Sequence, residues 1–244
     1  MAFATNIARL AFSTSASRFA IKHVTVIGCG LMGSGIAQVA AQTGHNVVLV
    51  DMSDDLLAKS TAAIKKSLGR VVKKKFAAEP EKGEHFVNET IGRIKTSTDA
   101  VKSVAETDLV IEAIVENLDV KKKLFSSLDV AAPQHTIFTS NTSSLPIKDI
   151  ASATGRVDRF GGLHFFNPVP IMKLLEVVRI PETSNQTYGR LVEFGQDLGK
   201  TTVQAKDTPG FIVNRLLVPY LMEAIRMLER GRHDSLYCVK FGMI

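Results

Sequence analysis

Gly28-Cys29-Gly30-Leu31-Met32-Gly33 narrows the possible folds of this chain more than any other segment. A β-branched run, His23 to Ile27, enters it, and a small-residue helical stretch, Leu31 to Gln42, leaves it. Through Gly44 the chain then reaches a second apolar run, Val47 to Val50, which ends at Asp51. This is one βαβ unit of the expected length, with a GxGxxG loop at its first turn. The first glycine permits the tight turn and the second lets the backbone approach a pyrophosphate. The third lets helix and strand pack closely, with phosphates at the positive end of the helix. Asp51 lies 18 residues after Gly33, where a carboxylate accepts hydrogen bonds from the adenosine ribose. It would repel a 2′-phosphate, and no Arg follows it closely, so NAD is favoured over NADP. A purely structural glycine turn is the alternative reading. Cys29 contributes its backbone, its thiol being incidental.

The pattern continues as a doubly wound α/β chain. A basic amphipathic helix is expected from about Asp54 to Ala78. Strands are expected at Ile91 to Thr96, Leu109 to Ile114 and Thr136 to Thr139, with a helix over Val120 to Val130 before the last. This alternation predicts a mostly parallel sheet covered on both faces. Beyond Ala151 the order becomes strand (Arg159 to Phe166), Pro-rich turn (Asn167 to Pro170), strand (Lys173 to Val178), helix (Asn185 to Leu198) and strand (Thr201 to Gln204). Asp207-Thr208-Pro209-Gly210 reads as a boundary, and Phe211 to Arg230 as a helix kinked at Pro219.

Composition removes several classes. With 45% hydrophobic and 22% charged residues over 244 positions, the chain can bury a core, and no apolar run approaches membrane-spanning length. Two cysteines, Cys29 and Cys238, make neither a disulfide framework nor a zinc cage, so no metal is expected. Met1 to Val50 contains no Asp or Glu, while Arg9, Arg18 and several Ser and Thr residues precede Phe19. That is the composition of a mitochondrial transit peptide, expected over residues 1–19; an N-terminal tail without an address is the alternative. Its removal would lower the formal charge of +6 to +4, which further weakens a nucleic-acid reading.

Chemistry is suggested by His164 and Glu176, twelve residues apart with Pro170 at their midpoint. If two strands fold back about that turn, imidazole and carboxylate become cross-strand neighbours. The carboxylate then fixes the tautomer and leaves one ring nitrogen free as a general base. A satisfied core histidine is the alternative. Ser140-Asn141-Thr142-Ser143-Ser144 follows a strand at the carboxyl edge of the sheet, where its hydroxyls orient a substrate oxygen or simply make turns. Lys59 to Lys75 holds seven basic residues and no acidic one. Ser67 and Lys74, seven apart, share a helical face suited to phosphates or to solvent.

The segments Gly28 to Asp51, Glu112 to Lys121, Ser140 to Leu145, His164 to Glu176 and Lys206 to Leu217 together resemble the short-chain L-3-hydroxyacyl-CoA dehydrogenases, mitochondrial enzymes of fatty acid β-oxidation. The resemblance runs from about Ile21 to Gly231. It implies a Rossmann-type NAD-binding domain with an antiparallel extension over residues 20–206, then an all-α C-terminal domain. It implies oxidation of (3S)-3-hydroxyacyl-CoA to 3-oxoacyl-CoA with NAD, in the mitochondrial matrix. His164 is then the base taking the 3-hydroxyl proton, and Glu176 its partner. Ser143 and Asn214 would bond the reacting oxygen or the imidazole. Gly28, Gly30, Leu31, Met32, Gly33, Asp51, Glu116, Lys121, Asn141, Ser143 and Asn167 would face NAD, while Ser67, Lys74 and Ser143 would face the acyl-CoA. Of the family's helical dimerisation domain only a first helix, residues 207–231, is expected, followed by an unrelated tail, 232–244. The chain is therefore expected to be a C-terminally truncated dehydrogenase with Phe211, Leu217, Leu221, Ile225 and Leu228 as an exposed stripe. A catalytically dead NAD-binding or interaction protein is the rival expectation.

Overall fold

The computed structural model describes residues 21–231; the expected transit peptide and tail lie outside the described residues. β1 (His23–Ile27) is followed by α1 (Leu31–Gln42), β2 (Asn46–Val50), α2 (Asp54–Lys75), α3 (Pro80–Gly92) and β3 (Ile94–Ser97). A short α4 (Ala100–Ser103) precedes β4 (Leu109–Glu112), α5 (Leu118–Ala131), β5 (Ile137–Ser140) and α6 (Ile147–Ala151). Then come β6 (Phe160–Phe165), β7 (Leu174–Arg179), α7 (Asn185–Asp197), β8 (Thr201–Lys206) and α8 (Val213–Glu229).

All eight strands form one sheet in the order β3-β2-β1-β4-β5-β6-β7-β8. Every pairing is parallel except β6 with β7. The extension is therefore one antiparallel hairpin closed by a parallel edge strand, β8. Two apolar clusters flank the sheet. One is built on Ile36, Leu49, Ile64, Leu68 and Phe194, the other on Phe125, Phe138, Ile150 and Phe160. Strands buried on both faces, such as β4 and β5, are apolar except for side chains that find partners: the β5 hydroxyls of Thr139 and Ser140, and Glu112 at the end of β4. Strand order reverses direction between β1 and β4, and the carboxyl ends of those strands open a crevice there.

Three expectations need correction. The basic helix ends at Lys75 rather than Ala78, and a separate helix, α3, occupies the segment before β3, so Ile91 and Gly92 are helical. Gly83 explains the close packing of α2 and α3, since a Cβ there would lie 2.5 Å from a Val72 methyl. Second, α8 starts at Val213, so Phe211 lies outside the helix. Third, Phe211 is buried at 4% exposure. The exposed apolar residues around α8 are Ile212, Leu216, Leu217, Val218, Tyr220, Met222 and Ile225. A left-handed turn at Gly210 (φ 75°) and Phe211 (φ 48°) swings the aromatic ring into the sheet instead of along the helix.

Candidate active site

The dinucleotide loop has three glycines with three different reasons to lack a side chain. Gly28 has φ 101°, and a Cβ on it would sit 2.5 Å from the Ala113 carbonyl oxygen. A Cβ on Gly33 would lie 1.7 Å from the Gly28 carbonyl oxygen, so α1 can approach β1 only with glycine there. A Cβ on Gly30 would have nothing within 4 Å, so this space is open to a ligand. Gly30 also caps α1 with no side-chain hydrogen bond, and Leu31 and Met32 form the first turn. Open space at a helix N-terminus is where a pyrophosphate fits.

Beside it, a cavity of about 510 Å³ is lined by Gly28, Gly30, Asp51, Met52, Ala113, Ile114 and Leu124, among others. Asp51 closes one end. Its Oδ2 accepts from the Cys29 N–H at 2.7 Å and its Oδ1 from the Met52 N–H at 2.7 Å. Burial pushes the Asp51 carboxyl up, but the Cys29 backbone N–H, the Cys29 thiol and the Met52 N–H outweigh it and hold it below its usual value. The anion keeps free lone pairs for ribose hydroxyls. Burial and the neighbouring carboxylate push the Cys29 thiol up to about 11, so it is no nucleophile. Among the described residues no cluster of His, Cys, Asp and Glu is suited to a metal.

The hairpin brings the expected pair into register. His164 lies opposite Glu176 across β6 and β7, and His164 Nδ1 is 2.6 Å from Glu176 Oε2. Glu176 is 0% exposed, and its Oε1 accepts the backbone N–H groups of Ile212 (3.0 Å) and Val213 (2.9 Å). An ionised carboxylate only accepts, so Nδ1 carries the proton and Nε2 presents a lone pair. That nitrogen is 3.1 Å from Ser143 Oγ, at the carboxyl end of β5. Ser143, Asn214 and Arg215 line one cavity with Pro209 and Val218, which places Asn214 on the same opening. Asn141 Oδ1 accepts the Phe165 N–H at 2.8 Å, tying the β5 loop to β6. Asn167 is exposed at the hairpin turn, where its bond to Pro168 is cis.

Glu116 accepts the Ser143 N–H at 3.0 Å and the Thr142 and Ser144 hydroxyls, fixing the serine loop. Burial raises the Glu116 carboxyl, but the Thr142 hydroxyl, Lys121 and the Ser143 N–H bring it below its usual value. Lys121 is only 1% exposed, and its Nζ lies 2.6 Å from Glu112 and 3.2 Å from Glu116. Its Nζ thus lies between two carboxylates, one of which, Glu116, holds the serine loop. Glu112, the buried anchor that also accepts from Ser140 Oγ at 2.6 Å, was not singled out in the sequence. Its nine-residue separation from Lys121 spans strand, loop and helix and follows no single period. Phe166 and Phe211 were missed too; their rings lie 4.6 Å and 5.4 Å from the imidazole of His164. Ser67 (half-buried) and Lys74 (exposed) lie on α2, apart from this cluster in sequence and with no bond to it.

The family model for the NAD-binding domain of 3-hydroxyacyl-CoA dehydrogenase matches residues 23–208, and the model for the C-terminal domain matches 210–235. The chain belongs to the 3-hydroxyacyl-CoA dehydrogenase family. It is an NAD-dependent oxidoreductase of that family. It is 64% identical over 219 residues to human mitochondrial hydroxyacyl-coenzyme A dehydrogenase, covering 90% of this chain and 70% of the relative. A probable 3-hydroxybutyryl-CoA dehydrogenase of Bacillus subtilis is 43% identical over 211 residues, 86% of this chain and 71% of its own. Among solved structures, (S)-3-hydroxybutyryl-CoA dehydrogenase from Ralstonia eutropha superposes with a TM-score of 0.83 at 40% identity. That match covers 89% of this chain and 75% of the other.

Proposed function

We propose that this dehydrogenase oxidises (3S)-3-hydroxyacyl-CoA to 3-oxoacyl-CoA through a proton relay built on His164. The observation that carries the reading is the ordered contact Glu176 Oε2, His164 Nδ1, His164 Nε2, Ser143 Oγ, with steps of 2.6 Å and 3.1 Å across the ring. His164 Nε2 accepts the proton of the substrate's 3-hydroxyl. Glu176 holds the tautomer and stabilises the imidazolium that forms. Ser143 Oγ–H and Asn214 hydrogen-bond the oxygen as it becomes a carbonyl. NAD, when bound, supplies the acceptor for the hydride that leaves C3. Gly28, Gly30 and Gly33 with Leu31 and Met32 would hold its pyrophosphate, Asp51 its adenosine ribose, and Glu116, Asn141 and Asn167 its nicotinamide side, with Lys121 acting through Glu116.

Ser67 and Lys74 on α2 receive the coenzyme A portion of the substrate. Support comes from the charge: Lys59, Lys65, Lys66, Arg70, Lys73, Lys74 and Lys75 make no ion pair among the described residues. Such a basic helix suits a polyanion. Residues 20–206 form the NAD domain, and the exposed apolar side chains of α8 suit a helix that opens a helical domain. The acid-free N-terminus and the mitochondrial names of its relatives support a transit peptide over residues 1–19 and work in the matrix, in fatty acid β-oxidation.

The test is NADH absorbance loss with acetoacetyl-CoA for the chain and its His164→Gln variant. The expected result is turnover that falls about 10²- to 10⁴-fold in the variant, with NAD binding retained. Equal turnover in both would remove His164 as the base. No turnover in either, with NAD bound, would favour a binding role.

A further inference from the structure

Among the described residues Phe211 is the one non-glycine residue in the left-handed region, at φ 48°. Bulky residues avoid this conformation, which glycine adopts freely. Strain of this kind persists only where surrounding structure imposes it, and it gathers at active sites. Three features of the turn point to what the phenylalanine returns. Its side chain is 4% exposed and belongs to the apolar cluster that holds Phe125, Phe138 and Phe160. Its ring centroid lies 5.4 Å from the His164 imidazole at an interplanar angle of 59°, and Phe166 makes the same angle at 4.6 Å. The next two residues, Ile212 and Val213, aim their N–H groups at Glu176 Oε1. One strained turn therefore touches both members of the His164 and Glu176 pair.

We propose that Phe211 is a positioning residue for the dehydrogenase reaction. Its ring, held in place by the 210–211 turn, fixes the plane of the His164 imidazole so that Nδ1 stays on Glu176 and Nε2 stays toward Ser143. The contacts of Nδ1 with Glu176 and of Nε2 with Ser143 hold the two ring nitrogens, but both act in the ring plane and leave the ring to tilt about the line that joins them. A packed aromatic neighbour removes that freedom without adding a polar group that would compete for the proton. The consequence for turnover rests on the reading of His164 as the base; the consequence for the imidazole geometry does not.

The experiment uses the full chain with Phe211→Ala and Phe211→Gly. Ala removes the ring and keeps the strained backbone, whereas Gly removes the ring and relieves it. The far-downfield imidazole N–H proton resonance, assigned to His164 by its loss in His164→Gln, reports the bond to Glu176. The expected result is that both variants broaden or lose this resonance. Their kcat falls by roughly 10- to 100-fold, with KM for acetoacetyl-CoA and NAD affinity nearly unchanged. Wild-type resonance and kcat in both would overturn the proposal, as would lost kcat with an unchanged resonance. Recovery in Phe211→Gly alone would also overturn it, because the backbone and not the ring would then matter. If both variants unfold, Phe211→Leu keeps apolar volume without an aromatic face; its behaving as wild type would equally overturn the proposal. Loss of the resonance in the Phe211 variants while His164→Gln still turns over would instead remove His164 as the base and leave the positioning role standing.

Discussion

Replacing Glu176 by Gln preserves shape and removes one thing, the ability to accept on every side. Its three neighbours are all donors: His164 Nδ1–H at 2.6 Å, Ile212 N–H at 3.0 Å and Val213 N–H at 2.9 Å. An amide has a single oxygen. If that oxygen faces the α8 turn, the NH₂ faces Nδ1, and the imidazole must move its proton to Nε2. The nitrogen aimed at Ser143 then cannot accept the substrate proton, and a general base worth about 10²- to 10⁴-fold is lost, or roughly 3–5 kcal/mol of barrier. If the oxygen faces His164 instead, two buried N–H groups meet an NH₂. Each then costs about 1–3 kcal/mol of stability. The imidazole keeps its tautomer but loses the charge that stabilises it when protonated. Either way kcat falls steeply, and KM for acetoacetyl-CoA changes little because Glu176 is 0% exposed. Steady-state kinetics beside a thermal melt separates the two cases. A folded Glu176→Gln enzyme within about fivefold of wild-type kcat would show that the carboxylate is not needed to hold the imidazole tautomer, since no arrangement of one oxygen serves all three donors.

Further outcomes follow from the same geometry. Gly33→Ala places a Cβ 1.7 Å from a backbone oxygen, so it should destabilise the fold by about 1–3 kcal/mol or more and weaken NAD binding, whereas Gly30→Ala, with nothing within 4 Å, should keep its melting temperature and weaken only NAD binding. Calorimetry and cofactor titration check the contrast, which equal melting temperatures for the two variants would contradict. Lys121→Met leaves Glu112 buried without its cation and should cost about 3–5 kcal/mol, roughly a 10 °C fall in Tm; adding Glu112→Gln should recover part of it, and a single variant that melts like wild type would count against the pair's structural role. Asp108 accepts the Lys22 and His23 N–H groups; burial raises its carboxyl, but these N–H groups and His135 bring it below its usual value. Its folded value lies below its unfolded one, so its contribution is present above about pH 4 and is lost as pH falls through the folded value. Asp108→Asn should flatten that acid limb in urea midpoints measured against pH, and an unchanged slope would contradict the assignment.

The parts legible in the sequence are those where one chemical requirement fixes several residues at once. The GxGxxG loop prescribes a strand before it, a helix after it and a carboxylate at the next strand's end, and β1, α1, β2 and Asp51 follow that prescription. The His164 and Glu176 register was legible because a hairpin about a Pro-rich turn is symmetric, so equal spacing from Pro170 means facing positions. Helix α3 was hidden because its sequence is charged and carries a glycine at position 83, whose purpose appears only when Val72 of α2 packs on it. The Glu112, Lys121 and Glu116 cluster was hidden in part because no helical or strand period joins its members. The role of Phe211 was hidden because helical spacing assigns it to the face of α8, whereas a left-handed backbone places it on the imidazole.

The central claim is that the Nε2 of His164 and the Oγ of Ser143 together receive the substrate's 3-oxygen. A crystal structure of the chain with NAD and acetoacetyl-CoA tests it most directly. That oxygen is expected within hydrogen-bond reach, about 3 Å, of both atoms, with His164 still bonded to Glu176. A bound 3-oxo group that meets neither atom, with the imidazole turned away, would contradict it.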